Sequence, residues 1–378
     1  MNRASHETCR SPNPSVAREK EELVTLLSLP GMTSGRLREL LTLFGSPRGA
    51  LEAIEKGAAE GPDPPAAAWR EALLSPGLRD TASRLKSQGI GVVVAGESGY
   101  PALLARIYDP PVALFYKGEL PGDSPCAAIV GSRKATPYGL EAARWFAEGL
   151  AREGVCVVSG AAYGIDSAAH SGALEAGGIT CGVLGCGVDV IYPRTNAGLF
   201  QRITERGCLL SEYVPGTQPR PHFFPERNRI IAGLALGVVV VEAAERSGAL
   251  ITAEFALSEN REVFAVPGQV FSTNSAGTHA LVRAGAALVT DPGEVLEELG
   301  LGEQARLTSV EPAGNGGATV DERALLSALE GGPCDVEGLA LRAGLATHHA
   351  MASLSALEVR GLTQRAAGGF YQRCGPRR

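Results

Sequence analysis

The sequence predicts an α/β fold, a parallel sheet covered by helices, and three observations carry that expectation. Short apolar runs recur along the middle of the chain, each breaks at a glycine or small polar turn, and each is followed by a segment of helical periodicity. Apolar strands that alternate with helices describe a parallel sheet buried on both faces. Glycine-rich turns at the carboxyl ends of such strands leave backbone N–H groups available to hold phosphate, so the expected ligand is phosphorylated.

Taken in order, residues 1–20 are polar and read as a disordered lead. Residues 21–80 break into short helical patterns at 21–28, 34–44 and 48–55, punctuated by Pro30-Gly31 and Gly45-Ser46-Pro47. The first two helices, joined by Leu29-Pro30-Gly31-Met32, have the outline of a helix-hairpin-helix, with Thr33 where the second hairpin glycine would stand. Residues 61–68 are rich in proline and alanine and read as a loose connection.

Residues 85–300 form the expected core. A lead-in strand at 92–95, a helical piece at 101–107 and a strand at 112–116 come first. The strand–turn–helix series follows: 127–131 into Ser132 and Arg133, 155–159 into Gly160 and Gly164, 180–184 into Gly185-Cys186-Gly187, and 237–241 into Glu242 and Ser247-Gly248. A strand at 262–266, a helix at 278–284 and a short strand at 287–290 complete it. Apolar periodicity then fades through 303–319, which reads as a linker. Residues 320–373 carry three helical patterns, at 322–329, 336–343 and 347–359, and a two-strand ending turned at Gly368-Gly369, the plan of a winged helix. Its third helix holds His348, His349 and Glu358, with Arg360 just past its end and no lysine, so contact with protein is as well supported as DNA reading.

Bulk properties narrow the function. The chain has 378 residues, 44% of them hydrophobic, enough for two or three domains. No apolar run reaches the roughly 18 residues of a spanning helix and the amino terminus lacks a hydrophobic leader core, so a cytoplasmic address away from membranes is expected. The eight cysteines are scattered without a CxxC pair, which supports neither a metal site nor a disulfide framework. A formal net charge of −6 excludes a protein that coats DNA by bulk attraction and requires a local basic pocket. Aromatic content of 5% limits how many bases such a pocket can stack.

Three clusters suit that pocket. Gly131-Ser132-Arg133-Lys134 joins a close-approach glycine, a hydroxyl and two cations ahead of a helix, a sensible phosphate clamp. The run from Arg220 to Arg229 sets Arg220, Arg227 and Arg229 beside Phe223, Phe224 and Asn228, cations for a backbone and rings for unpaired bases. Ser247-Gly248, followed by Thr252, opens a helix whose N–H groups suit a phosphate or simply carry a cap. Asp166 and His170 lie four apart on a helix and share a face, as a structural hydrogen bond or a hydrolytic dyad requires. The sequence has no GxxxxGK[ST] loop, no GxGxxG after its first strand, and neither HExxH nor GxSxG, so no nucleotide or metal cofactor is expected.

The same residues resemble the DNA-processing protein A (DprA/Smf) family. The likeness rests on Gly131-Ser132-Arg133, Ser159-Gly160 with Gly164-Ile165-Asp166, Gly185-Cys186-Gly187 through Tyr192-Pro193, Phe224-Pro225 with Arg227-Asn228-Arg229-Ile230-Ile231, Ser247-Gly248 with Thr252, and Val266-Pro267-Gly268. The resemblance implies an extended Rossmann-like domain, flanked by a small helical (SAM or helix-hairpin-helix-like) domain and a winged helix. It further implies a homodimeric, non-catalytic mediator that binds and protects single-stranded DNA and loads the RecA recombinase during natural transformation. The DNA pocket it implies comprises Arg133, Lys134, Arg220, Phe223 or Phe224, Arg227 and Arg229, with Ser159, Gly160, Ser247 and Gly248 as donors. Tyr163 stands where many members carry arginine and offers a ring instead, and His279 replaces a common asparagine. The competing classes are a nucleoside monophosphate hydrolase, whose Pro-Gly-Gly-x-Gly-Thr loop is missing here, and a nucleotide-sensing regulator.

Overall fold

The computed structural model describes residues 14–58, 66–75, 78, 81–301, 320–329, 332–359, 362–365 and 370–373. These fall into two compact units that divide between residues 301 and 320. The first is organised by β1 (Gly91–Val94), β2 (Ala113–Gly118), β3 (Cys126–Val130), β4 (Cys156–Ser159), β5 (Thr180–Val183), β6 (Cys208–Ser211), β7 (Gly237–Val240), β8 (Glu262–Ala265) and β9 (Ala287–Leu288). They form one sheet in the order β1-β2-β6-β5-β4-β3-β7-β8-β9. Every pairing from β6 to β9 is parallel. The expected parallel sheet needs correction at one edge, where β2 runs against both β1 and β6. The reason is the connection between β1 and β2, which holds one short 3-10 turn, Leu104–Arg106, and no long helix to carry the chain across the sheet.

The helical segment comprises α1 (Pro14–Leu27), α2 (Ser34–Phe44), α3 (Pro47–Glu55), α4 (Ala66–Leu74) and α5 (Thr81–Ser87). Helix α1 begins inside the stretch expected to be a disordered lead, and residues 1–13 lie outside the described residues. Thr33, read as a lost hairpin glycine, is the N-cap of α2 and accepts from the Arg36 N–H. Gly45, at φ +72°, ends α2, and Ser46 caps α3 ahead of Pro47. Leu26, Leu37 and Ile54 are buried together with Trp69, whose indole N–H donates to the Pro30 carbonyl. That cluster includes Ala113 of β2 and packs Val92 and Val94 of β1, so the helices cover the β1–β2 edge and belong to the same compact unit as the sheet.

The core helices are α6 (Pro137–Arg152), α7 (Ile165–Glu175), α8 (Ala197–Arg206), α9 (Phe223–Leu234), α10 (Gly248–Ser258), α11 (Ala276–Arg283) and α12 (Pro292–Glu298). Strand β3 shows why its sequence is apolar throughout. Cys126, Ala128 and Val130 join the core under α9 and α10, while Ala127 and Ile129 join the core under α6, α7 and α12. From β3 the chain winds one way through β4, β5 and β6, then returns to β3's other side for β7, β8 and β9. The direction reverses between β3 and β7, where an open α/β sheet forms its ligand crevice. The six described cysteines in both units are free and buried, as expected of small apolar side chains.

The second unit contains α13 (Val320–Ala328), α14 (Val336–Ala343) and α15 (Thr347–Val359), followed by β10 (Thr363–Arg365) paired antiparallel with β11 (Tyr371–Arg373). Leu325, Leu339, Leu354 and Tyr371 close its core. The linker expected at 303–319 and the turn at Gly368-Gly369 lie outside the described residues.

Two polar groups largely or wholly covered by the fold contribute to the stability of the first unit. Arg229 on α9 is 13% exposed and donates to Asp109 at 3.2 Å and to Glu212 at 2.5 Å, while Arg38 of α2 pairs with the same Asp109. Arg229→Ala strands the buried Glu212 carboxylate, and urea unfolding is expected to show a loss of about 3–5 kcal/mol, against no change if the pairs were superficial. His170 on α7 is fully buried, and its Nδ1 meets Thr180 Oγ1 at 2.7 Å while that hydroxyl donates to the Val157 carbonyl. Burial, with Arg227 nearby, pulls its pKa from 6.5 to about 3. The folded imidazole stays neutral while the unfolded one protonates, so this stability is intact above pH 6.5 and falls toward pH 3 at about 1.4 kcal/mol per unit. Melting curves between pH 7 and pH 4.5 are expected to decline more steeply for the wild type than for His170→Gln, and parallel declines would contradict this.

Candidate functional site

The crevice opens above β3 and β7, at the reversal point, and encloses about 700 Å3. Its first lip is the loop from Gly131 to Lys134. Gly131 is required by crowding: a Cβ there would lie 2.6 Å from Ile165 and 2.9 Å from the Glu242 carbonyl. The Ser132 N–H donates to that carbonyl at 2.8 Å, the Ser132 hydroxyl accepts from the Lys134 N–H, and the Ser132 carbonyl accepts from Ile165. Ser132 therefore shapes the loop, and Arg133 and Lys134 remain exposed as its cations. The opposite lip is the start of α10, where Ser247 caps the helix by accepting from Ala249, and Asn228 donates to the Gly248 carbonyl. Thr252 is buried in the crevice wall.

Helix α9 supplies the ring and the deep cation. Phe224 faces the crevice, with the Arg133 guanidinium 5.0 Å from its centroid and Tyr192 at 5.5 Å on its side. Gly185 makes room for it: a Cβ there would stand 3.0 Å from the Phe224 ring. A narrow cleft beside this ring is lined by Arg133, Gly160, Tyr163 and Tyr192, which places the Tyr163 ring at the site. Gly164, at φ +75°, lets the backbone turn against the Ser132 carbonyl and start α7.

Arg227 lies beneath. It is 3% exposed, donates to the Val183 carbonyl at 2.6 Å, and still lines the crevice. Burial lowers its pKa to about 10, against the opposing pull of Asp166. Asp166 is likewise pushed upward by burial while Arg227 draws it back. Both groups crowd the empty Cβ position of Gly160, 2.1 Å from the guanidinium and 2.6 Å from the carboxylate, so only glycine fits. A guanidinium held this deep with one carbonyl bond is a positive field source aimed at the crevice.

Other expected site residues are placed elsewhere. Ser159 is fully buried and donates to the Ile129 carbonyl, because its strand position turns the hydroxyl into the sheet. Phe223, the first residue of α9, stacks on Tyr213 at 4.1 Å, and Arg220, ahead of the helix, lies over Phe223 at 5.7 Å; neither lines the crevice. Arg229 is committed to Glu212 and Asp109 and holds α9 in place, so the expectation that it meets phosphate is corrected. Asp166 and His170 are no dyad: Asp166 accepts from the Ala162 N–H, and His170 turns to Thr180. Tyr192 and Asn274 line the site without having been expected there; Tyr192-Pro193 carried the family resemblance but was given no contact role. Asn274 arrives from a distant loop and had no signal in the sequence. Among the described residues no cluster of His, Cys, Asp and Glu suits a metal, and no helix is long and apolar enough to cross a membrane.

Comparison with known proteins converges on this region. Residues 91–300 match the family described as DNA recombination-mediator protein A. The chain is 50% identical over 200 residues to DNA processing protein DprA of Streptococcus pneumoniae, covering 53% of this chain and 71% of that one. It is 46% identical over 213 residues to protein Smf of Escherichia coli, covering 56% and 57%. Among solved structures, DNA processing protein A of Streptococcus pneumoniae superimposes with a TM-score of 0.64 at 38% identity, over 74% of this chain and 97% of that one. DNA processing protein A of Helicobacter pylori, a protein described by its single-stranded DNA binding mode, gives 0.51 at 29% identity over 56% and 95%. The matched stretch contains every strand of the large sheet and the whole crevice, and the chain belongs to the DNA recombination-mediator protein A family, the DprA/Smf proteins.

Proposed function

We propose that this protein is a cytoplasmic, non-catalytic mediator of DNA recombination that holds single-stranded DNA in the crevice between β3 and β7 and hands it to the RecA recombinase during natural transformation. The observation that carries this reading is the pairing of Arg133 with Phe224 over the buried Arg227. Cations at the mouth attract the phosphate backbone, and the exposed parts of Phe224, Tyr163 and Tyr192 offer faces to unpaired bases. A duplex keeps its bases stacked away from such rings. Lys134, Asn228, Ser247 and Gly248 line the same space as further contacts. The acidic groups nearby support binding over hydrolysis, since the Glu242 carboxylate already accepts twice from Thr136, and Asp166 accepts from Ala162 beside the Arg227 charge.

The reading extends to assembly. The helical segment acts as a SAM or helix-hairpin-helix-like module and the second unit as a winged helix, in a homodimer. The third helix of that unit carries no lysine, which favours contact with a protein over a DNA groove.

Anisotropy titrations test the crevice. Oligo-dT is expected to bind far more tightly than duplex of equal length, with the logarithm of affinity falling linearly with that of salt. Arg133→Ala is expected to flatten the slope by about 0.7. Phe224→Ala is expected to cost about 1–3 kcal/mol at unchanged slope. Equal affinity for duplex, or an unaltered slope in Arg133→Ala, would contradict the crevice as the site. Protein ending at residue 301 is expected to retain single-strand affinity within a factor of about three, because the crevice lies wholly in the first unit.

A further inference from the structure

We propose that a recess on the far side of Glu242, bordered by the loop that carries the exposed Phe271, is a second base-binding subsite, so that a strand seated in the crevice continues over β7 and β8. This rests on reading the crevice as a single-strand site. The recess encloses about 470 Å3 between the first turn of α6 and the loop after β8, with Thr136, Tyr138, Glu242, Gln269 and Ser275 on its walls.

Its chemistry differs from that of the crevice. Among the described residues no lysine or arginine lines it, while a carboxylate, an amide and hydroxyls do. Glu242 is 3% exposed and receives the Thr136 N–H at 2.9 Å, the Thr136 hydroxyl at 2.5 Å and the Asn274 amide at 3.5 Å. An ionised carboxylate offers about four acceptor positions, so capacity remains for one donor from a ligand. Such a lining repels phosphate and suits the hydrogen-bonding edge of a nucleobase, in particular one with an exocyclic amine.

The loop supplies the stacking face. It is pinned at its start, where the Tyr138 hydroxyl donates to the Pro267 carbonyl at 2.6 Å and His279 Nε2 lies 3.1 Å from the Gly268 carbonyl, and it turns through a Ser272 N–H to Gln269 carbonyl bond. Despite those anchors Val270 is 81% exposed and Phe271 99% exposed. A fixed loop that presents an uncovered ring beside a polar recess is a platform for a base.

The two cavities are neighbours. Asn274 lines the crevice, donates to the Lys134 carbonyl at 2.9 Å and reaches Glu242, which walls the recess. A strand crossing this one ridge passes from phosphate-holding cations to a base-holding pocket.

Full-length wild type and Phe271→Ala are titrated with oligo-dC trimers and 12-mers by anisotropy, and sedimentation velocity follows both. Phe271 contributes no packing, so the variant folds. The 12-mer is expected to bind about 10-fold more weakly to Phe271→Ala, the trimer equally well, and the salt slope to stay unchanged. Oligo-dC is expected to outbind oligo-dT on the wild type and to lose that lead in Gln269→Ala. Unchanged 12-mer affinity in Phe271→Ala overturns the subsite while leaving the crevice standing. A shift to smaller species in sedimentation with unchanged DNA affinity overturns it in favour of a surface between copies of this chain. Wild type that binds neither oligonucleotide overturns the crevice reading and this one with it.

Discussion

The site depends on Glu242, which ties the two halves of the sheet together at its reversal point. Its backbone carbonyl accepts from Ser132 and its buried carboxylate accepts twice from Thr136, so a residue just past the end of β7 fixes the segment that follows β3. Gly139 is shaped by the same carboxylate, since a Cβ there would lie 2.4 Å from it. A charge buried this deep is tolerated because donors surround it, namely Thr136, just past the lip that presents Arg133, and Asn274. Removing it would free Thr136, where the loop passes into α6, while the bond from the Ser132 N–H to the Glu242 backbone carbonyl would remain.

Much of the fold was legible because parallel strands buried on both faces must be apolar along their whole length. The strand at β3 and its partners announced themselves in that way, and the glycine turns marked the rim. The site was legible only in part, because neighbours in sequence diverge on a helix. Arg227 and Arg229 look equivalent in the run Arg-Asn-Arg, yet residues two apart do not share a face. One passes under the crevice and the other turns to Glu212 and Asp109, partners 17 and 120 residues away that no local pattern reveals. Phe223 and Phe224 part by the same geometry, one onto Tyr213 and one into the crevice. The antiparallel strand β2 was hidden for a related reason: strand direction is set by what the connection permits, and a 3-10 turn reads in sequence much like a short helix.

The ion pairs around Arg229 give the helical segment a stake in the site. Arg38 on α2 and Arg229 on α9 share Asp109, and Glu212 follows β6, so three parts of the unit meet at one charge cluster, covered at Arg229 and Glu212 and open to solvent at Arg38 and Asp109. Burial raises the Glu212 carboxyl and Arg229 draws it back, the balance expected of a pair that holds structure rather than ligand. Helix α9 carries Phe224 and Arg227 from that anchor, so packing at the β1–β2 edge and the position of the crevice ring are mechanically linked.

The most direct measurement is a crystal structure of the protein with a short oligo-dT. The account expects a phosphate between the Arg133 loop and the start of α10, above Arg227, with a base against Phe224. A strand bound elsewhere on the surface, with this crevice untouched, would contradict it.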